Sequence, residues 1–452
     1  MRVLAVTALI AGALLRIAIL SISVPAVDSP WRAWSYHAAT RGPWTLYGAR
    51  GHTVRFADLD EPVVYPPLAI DELAVVGRVH LALNAGRFDN DVTLTRTIKG
   101  AIVLLDGALA ALLFLVVRRA AGTSRAWWAA LAYWLNPAVL MITTLGFIDV
   151  FLAVPAVGAL IAASDGRPWL SGALFAAAVM TKPQGLFVAP AVALALWNAD
   201  GEPGRSRRLA AAASASVIAA AVVVAPLLAA GAIVDMLRSV AVLAGHNALS
   251  ALAFNAWWIV GYLLQAAAAG EHGLRAAFRV QPEMMTHAQA MARGFPNPRI
   301  VGALVTGAAV LWGLKTAIRT RDLGLHAALA AFIVDAYFTL SVQVHENHFF
   351  LMMPLLAVAA ALRPAFAPVL AALSVTMALN LYFVYGLYGD GAADLAVRFT
   401  GVDPTVLLSV VNCLLFGWFC VTLARACRAV SSPTGVPVPA RLIPSQSSRL
   451  RF

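Results

Sequence analysis

The feature that most restricts this chain is its succession of apolar runs, which fall near 3–24, 100–117, 126–143, 147–163, 168–181, 185–197, 209–230, 300–314, 325–342, 348–362, 365–385 and 404–424. Many approach the ~20 apolar residues that cross a bilayer. They predict an all-α integral membrane protein, a polytopic bundle of about twelve transmembrane helices. Composition agrees: the 452 residues are 61% hydrophobic and only 12% charged, and no stretch reads as a separate soluble domain. The run 3–24 is longer than the apolar part of a usual signal peptide and is followed by further spans, so it reads as a retained first helix.

Basic residues fix the expected topology. Arg118, Arg119 and Arg125, then Arg205, Arg207 and Arg208, then Lys315, Arg319 and Arg321, and finally the C-terminal tail all fall on the cytoplasmic side if the N-terminus is inside. This holds only if "YPPLAIDELAVVGRVHLAL" (65–83) does not cross the membrane. It carries Asp71, Glu72, Arg78 and His80, and each charge would cost roughly 2.5–3.5 kcal/mol at the bilayer centre. An interfacial helix is expected instead. Residues 25–99 then form a large first outer loop containing interfacial helices, between the first helix (1–24) and the spans of 100–230. A second outer loop, 231–299, holds "FNAWWIVGYLLQAAAA", either re-entrant or paired with another short helix, and 300–424 carries the remaining spans. The tail 425–452 has five arginines, four prolines and no acid, and is expected to be a disordered cytoplasmic strand on anionic lipid.

The formal charge of +11 is accounted for by these short basic loops rather than by a nucleic-acid partner. Cys413, Cys420 and Cys427 have no metal-ligand spacing and imply no disulfide framework.

Under this topology every histidine except His326 lies outside, and the polar breaks in the apolar pattern gather at one depth. Asp28 follows the first span; Asp149 sits in "LGFIDVF"; Lys182 and Gln184 sit in "TKPQG"; His246 and Asn247 open "GHNALSALAFNAWW"; and His345 to His348 interrupt "SVQVHENHFFLMMP". Turns that join helices of one bundle are expected to surround one cavity. Asp28 reads either as a solvated helix cap or as a catalytic group, and His345 either as an interfacial residue satisfied by carbonyls or as a functional one. Lys182, with little loop around it, needs an anionic partner or must snorkel. Asp106 and Asp335 lie inside apolar runs and read as helix–helix hydrogen-bonding groups, with Arg16 paired to one of them. The acidic run Asp58, Asp60 and Glu61 reads as a solvated loop before a divalent-cation site.

Four blocks, "VVYPPLA" (63–69), "GFIDVFLA" (146–153), "TKPQGLFVAP" (181–190) and "VQVHENHFFLMMPLL" (342–356), resemble in order and spacing those of the C-type (GT-C) integral membrane glycosyltransferases. The likeness is nearest to the dolichyl phosphate glucose-dependent glucosyltransferases of asparagine-linked glycosylation and their bacterial relatives, and touches most of 28–356. It implies that Asp28 matches the catalytic aspartate, Tyr65 to Leu68 the YPPL segment, Lys182 the lysine of a Lys-Gln block, and His345 with Glu346 the His-Glu pair. A proline separates Lys182 from Gln184 here, Asn347 stands where the family has lysine, and the family's Gln and Asn positions in "GFIDVF" are not both kept. Those departures point to a different sugar or acceptor.

The resemblance implies an inverting hexosyltransferase that moves glucose or mannose from a polyprenyl phosphate sugar to an extracytoplasmic lipid-linked or glycan acceptor. In that scheme Asp28 is the base; Lys182, His345, His348 and His246 hold the donor phosphate; Glu346 orients His345 and raises its pKa; and Gln184, Asp149, Tyr65 and Asn247 line the substrate. No cofactor beyond the sugar lipid co-substrate is called for, and a divalent metal is neither required nor excluded. The Ala-rich helices suggest a bacterial plasma membrane. A transporter or flippase of lipid-linked sugars and a membrane polysaccharide polymerase or ligase are the competing readings.

Overall fold

The computed structural model describes residues 2–47, 53–57, 59–89, 91–200, 204–387, 391 and 403–431, and helix dominates them. In chain order the helices are α1 Arg2–Ile19, α2 Pro25–Arg41, α3 Pro67–Leu83, α4 Val92–Ala121, α5 Thr123–Trp134, α6 Pro137–Leu145, α7 Asp149–Ser164, α8 Pro168–Thr181, α9 Ala189–Asn198 and α10 Arg205–Ala229. They continue with α11 Ile233–Ala244, α12 Ala256–Ala268, α13 Leu274–Arg279, α14 His287–Ala292, α15 Pro298–Ala317, α16 Leu323–Leu340, α17 Met352–Leu362, α18 Ala367–Tyr385 and α19 Pro404–Ser431. Strands β1 (Thr53–Phe56) and β2 (Leu59–Pro62) form an antiparallel hairpin, Thr53 opposite Pro62, which packs on α2.

Six helices, α4, α10, α15, α16, α18 with its leading turn, and α19, are long and apolar enough to cross a membrane; α5 and α6, bent by 43°, make a seventh if taken as one span. The chain is a multi-pass membrane protein. The other apolar runs also form helices, but short ones. At 1.5 Å per residue the 14 residues of α8 reach only about 21 Å, less than the ~30 Å hydrocarbon core. α12, with 13 residues, is likewise too short to cross alone, and α3, the expected interfacial helix, falls outside the spanning set. α16 is the most enclosed span, whereas α10 and α15 present most of their residues outward.

Each short helix ends where the local sequence stops it. Asn136 bends the chain between α5 and α6: its Oδ1 accepts from the Ala138 N–H at 3.0 Å, and Pro137 starts the new helix. Gly146 caps α6 at φ +89, a conformation that suits glycine. Pro183 forces Lys182 into extended backbone and ends α8. After α16 the chain runs without helix through the HENH break until α17 begins at Met352. Helix ends therefore coincide with the polar breaks.

Inside the bundle Arg16 Nε lies 3.3 Å from Asp106 Oδ2. That carboxylate also accepts from Tyr133 Oη at 2.6 Å and Thr143 Oγ1 at 2.8 Å, and the guanidinium donates to the Trp134 carbonyl at 2.8 Å over the Trp134 ring. This buried pair ties α1 to α4, α5 and α6. Asp335 departs from the expected helix-to-helix bond: its partner is Thr339 on its own helix, at 3.4 Å. The tail also differs from expectation at its start, because α19 continues through Arg425 and Arg428 to Ser431 and these arginines ride on a helix. Residues 432–452 lie outside the described residues.

Candidate active site

Asp28 stands in the first turn of α2 and is only 2% exposed, not a solvated cap on a loop. Its Oδ2 accepts from Arg32 Nη2 at 3.0 Å, one turn along the helix, and from Ser23 Oγ at 3.1 Å. Arg32 also donates to Ser23 and to Thr95 of α4. Asp28 Oδ1 is buried and has no protein partner among the described residues. Burial raises the pKa of Asp28, opposed first by the Arg32 charge.

The turn between α6 and α7 connects this carboxylate to the other polar breaks. A Cβ placed on Gly146 would stand 3.8 Å from Asp28 Cβ and 3.4 Å from Lys99 Cε. Phe147 packs against Tyr385 with ring centres 6.0 Å apart, and Tyr385 Oη donates to Glu346 Oε1 at 2.8 Å. Asp149, the first residue of α7, accepts from Lys182 Nζ at 2.6 Å through Oδ1 and from Asn347 Nδ2 at 2.8 Å through Oδ2. "GFID", "TKPQ" and "HENH", far apart in sequence, thus meet at Asp149, which joins a buried cation, a helix N-terminus and the Asn347 amide. Burial by itself would lower the Lys182 pKa, but the Asp149 carboxylate outweighs it and raises it, so Lys182 stays cationic. The Tyr65 ring lies 5.4 Å from Lys182 Nζ and packs on Trp31 and Trp34 of α2, which brings the YPPL segment into the same wall.

The histidines differ from the expected phosphate-binding cations. Tyr337 Oη and the His345 backbone N–H both approach His348 Nδ1, at 3.3 and 3.4 Å, so Nδ1 accepts and Nε2 carries the proton. The Gln184 side-chain amide, 2.8 Å from Nε2, meets that proton when its oxygen faces the ring. Burial, then Lys182, holds the His348 pKa well below the imidazole range. His345 is half-exposed and is also lowered, by burial and then by His246, whose ring centre is 5.1 Å away, and Lys182.

Glu346 does not raise the pKa of His345. Its Oε2 lies 3.9 Å from His345 Nδ1, beyond hydrogen-bond reach, and burial pushes the Glu346 carboxyl itself up to about 7. His345 is fixed instead by its backbone: Ala251 N–H donates to the Val344 carbonyl at 2.9 Å and Gln343 N–H to Leu249 at 3.1 Å, with Gln343 and Leu252 both at positive φ. Two bulky residues in that conformation mark a strained clasp between the two loops. His246 is exposed, and Asn247 turns away from the cluster, its Oδ1 accepting from the His287 N–H at 3.1 Å.

A measurement follows from Glu346. Its pKa rises from 4.5 to about 7 in the fold, so it favours the fold fully below pH 4.5, and that contribution is lost as pH climbs to 7. Glu346→Gln should melt with the wild type at pH 5 and above it at pH 8 in detergent. An unchanged pH slope would assign the titration to another group.

Three polar residues were not anticipated here. Arg32 pairs with Asp28 at the i,i+4 spacing, a signal visible only once 25–41 is read as a helix. Glu72 on α3 accepts from Thr181 Oγ1 at 3.3 Å, leaves Oε2 buried without a partner among the described residues, and is pushed by burial up to about 8. Lys99, at the start of a long apolar run, resembles any snorkelling lysine in sequence but is buried beside Asp28. Of the acidic run, Asp58 lies outside the described residues, Asp60 is exposed, and Glu61 accepts from Ser29 Oγ at 2.5 Å. Among the described residues no three His, Cys, Asp or Glu side chains are gathered as a metal ion would need.

No protein-family model matches this chain, and neither does any curated protein. Solved structures similar to it include ArnT from Cupriavidus metallidurans bound to undecaprenyl phosphate, at 15% identity over 94% of this chain and 77% of that one, TM-score 0.48. Another is the Archaeoglobus fulgidus oligosaccharyltransferase tethered to an acceptor peptide, at 13% identity and TM-score 0.41, aligned over 94% of this chain. The chain covers 55% of that archaeal enzyme. Likenesses this loose leave the chemistry to be argued from the chain's own residues.

Proposed function

We propose that this protein is an inverting glycosyltransferase of the GT-C type, moving a hexose, glucose or mannose, from a polyprenyl phosphate sugar to a lipid-linked or glycan acceptor on the extracytoplasmic face of the plasma membrane. The observation that carries this reading is the Asp28 carboxylate, buried and tied through Oδ2 with Oδ1 left unpartnered, and packed against Gly146 in the turn that leads into the Asp149–Lys182 pair.

Phosphate is a weakly basic leaving group, so the reaction needs no general acid. It needs a base for the acceptor hydroxyl and a cation near the departing phosphate. In this mechanism the acceptor oxygen attacks the anomeric carbon in line, its proton passes to Asp28 Oδ1, and the bond from that carbon to the phosphate oxygen breaks. The polyprenyl phosphate leaves with the bonding pair. Lys182 is the cation: Asp149 and the Tyr65 hydroxyl take two of its three N–H groups, which leaves one for a phosphate oxygen. His345 lines the mouth as a neutral donor, with the exposed His246 ring beside it. The apolar tail has room in a cavity of about 540 Å³ between α1, α4 and α5, walled by Leu9, Ala13, Gly107, Ala110, Phe114 and Trp134. Gly107 lies eight residues, roughly 12 Å of helix, along α4 from Lys99.

The test is transfer by purified protein in detergent, offered radiolabelled polyprenyl phosphate glucose and, separately, mannose with a lipid extract of the host. Labelled product together with free polyprenyl phosphate supports the reading. A donor bond left intact with every sugar overturns it in favour of a transporter, which moves the lipid-linked sugar without cleaving it.

A further inference from the structure

We infer that Lys99 is a positioning residue for Asp28: its buried ammonium binds together the two chain segments that close over the carboxylate and contributes a positive charge near it. This rests on the reading of Asp28 as the base.

Lys99 Nζ donates to the carbonyls of Ile19, at 3.3 Å, of Ile22 and of Thr144. An ammonium has three hydrogens, and these three carbonyls use all of them. Lys99 is therefore committed to the protein and has none left for a phosphate. Ile19 closes α1, Ile22 lies in the linker just after it, and Thr144 sits in the last turn of α6. Carbonyls at a helix C-terminus lack intrahelical partners and carry the negative end of the helix dipole, so one cation satisfies two helix ends at once. Both segments then continue directly to Asp28. The linker after α1 brings Ser23, which donates to Asp28 Oδ2, and the turn after α6 brings Gly146, whose α-carbon faces both Asp28 and Lys99. Without the ammonium, the Ile22 and Thr144 carbonyls lose their donor and Ile19 keeps only the Ile22 N–H, so the bond that ties the two segments together is gone and each is free to drift from the carboxylate.

The electrostatic consequence is separable from the mechanical one. The charged groups acting on Asp28 are Arg32, from its own helix, and Lys99, from α4. Each favours the ionised carboxylate, the form that accepts a proton. Removing Lys99 raises the pKa of Asp28, whereas a simple structural tie would leave it in place.

The experiment titrates the Asp28 carboxyl by infrared difference spectroscopy, wild type minus Asp28→Asn, in detergent, on the wild-type, Lys99→Met and Lys99→Arg backgrounds. Lys99→Met should move the titration up by about one pH unit and carry the acid limb of the transfer rate with it. Transfer at neutral pH should fall about ten- to a hundredfold, mainly in kcat, and Lys99→Arg should restore the titration. If Lys99→Met does not fold, Lys99→Gln, which keeps two donors without the charge, serves for the same reading. An unmoved titration in a folded, uncharged variant overturns the proposal even if its stability falls. The carboxyl titration needs no turnover, so a wild type that transfers no sugar would sink the glycosyltransferase reading while this measurement still decides whether Lys99 acts on Asp28.

Discussion

Asp28→Asn should lower sugar transfer by about 10²- to 10⁴-fold, the usual worth of general-base help, with the fall in kcat rather than KM. Asparagine keeps the size of the side chain and an oxygen for Arg32 and Ser23 but cannot take up the acceptor proton. Loss of an interaction made only as the proton moves lowers kcat and kcat/KM together. The wild-type pH profile gives a second view of the same group. Burial raises the Asp28 pKa against the pull of Arg32, so the acid limb of kcat/KM should begin above the range of an exposed aspartate and fall about tenfold per pH unit below it. Asp28→Asn should remove that limb from whatever residual rate is left. A folded Asn variant that transfers at the wild-type rate would dismiss Asp28 as the base and turn attention to Glu72 and Glu346, each of which also keeps a buried oxygen without a partner among the described residues.

The parts of this site that were legible in the sequence are those where polarity interrupts an apolar pattern. Asp149, Lys182 and Asn347 each stand in a break of a run that otherwise belongs in hydrocarbon, and a buried polar group there must find a partner. Their convergence follows from helix ends meeting in one bundle. Who pairs with whom was not legible, because pairing is set by tertiary packing. His345 and Glu346 are neighbours in sequence and share a motif, yet they lie out of hydrogen-bond reach, and Glu346 takes its bond from Tyr385 of α18 instead. Asn247, adjacent to His246, faces His287 rather than the cluster.

The fold divides in the same way. Apolar runs located the helices, but their length as spans depended on where Pro183, Gly146 and the HENH break cut them, so runs that look alike in hydropathy became either full spans or short helices. α2 was hardest to read: "PAVDSPWRAWSYHAATR" has no apolar face to announce it, and its burial comes from α3, α4 and the β-hairpin. Lys99 stayed hidden because a basic residue at the edge of an apolar run carries the same sequence signature whether it snorkels into water or turns inward, and Arg32 because its i,i+4 pairing with Asp28 shows only once 25–41 is a helix.

Removing Lys182 should have the second large effect, in two parts that one pair of variants can separate. Lys182→Met leaves the Asp149 carboxylate buried with the Asn347 amide and the α7 N-terminus but no cation to answer it. Breaking a buried pair in this way typically costs about 3–5 kcal/mol, mostly from the orphaned charge, so both Lys182→Met and Asp149→Asn should melt well below the wild type. The double variant Lys182→Met with Asp149→Leu removes both charges, and since hydrophobic replacement of a buried pair is often neutral, it should recover most of the lost stability. Its transfer rate should nevertheless stay down by about 10²- to 10³-fold, the scale on which a preorganised group stabilises developing charge. Melting in detergent and transfer from the same preparations check both parts. A double variant that melts and transfers like the wild type would reduce Lys182 to a tie between α7 and α8 and assign the phosphate to other donors. A double variant that is stable but inactive would mean that Asp149 holds the lysine in place through folding, and that the remaining ammonium hydrogen serves the leaving group.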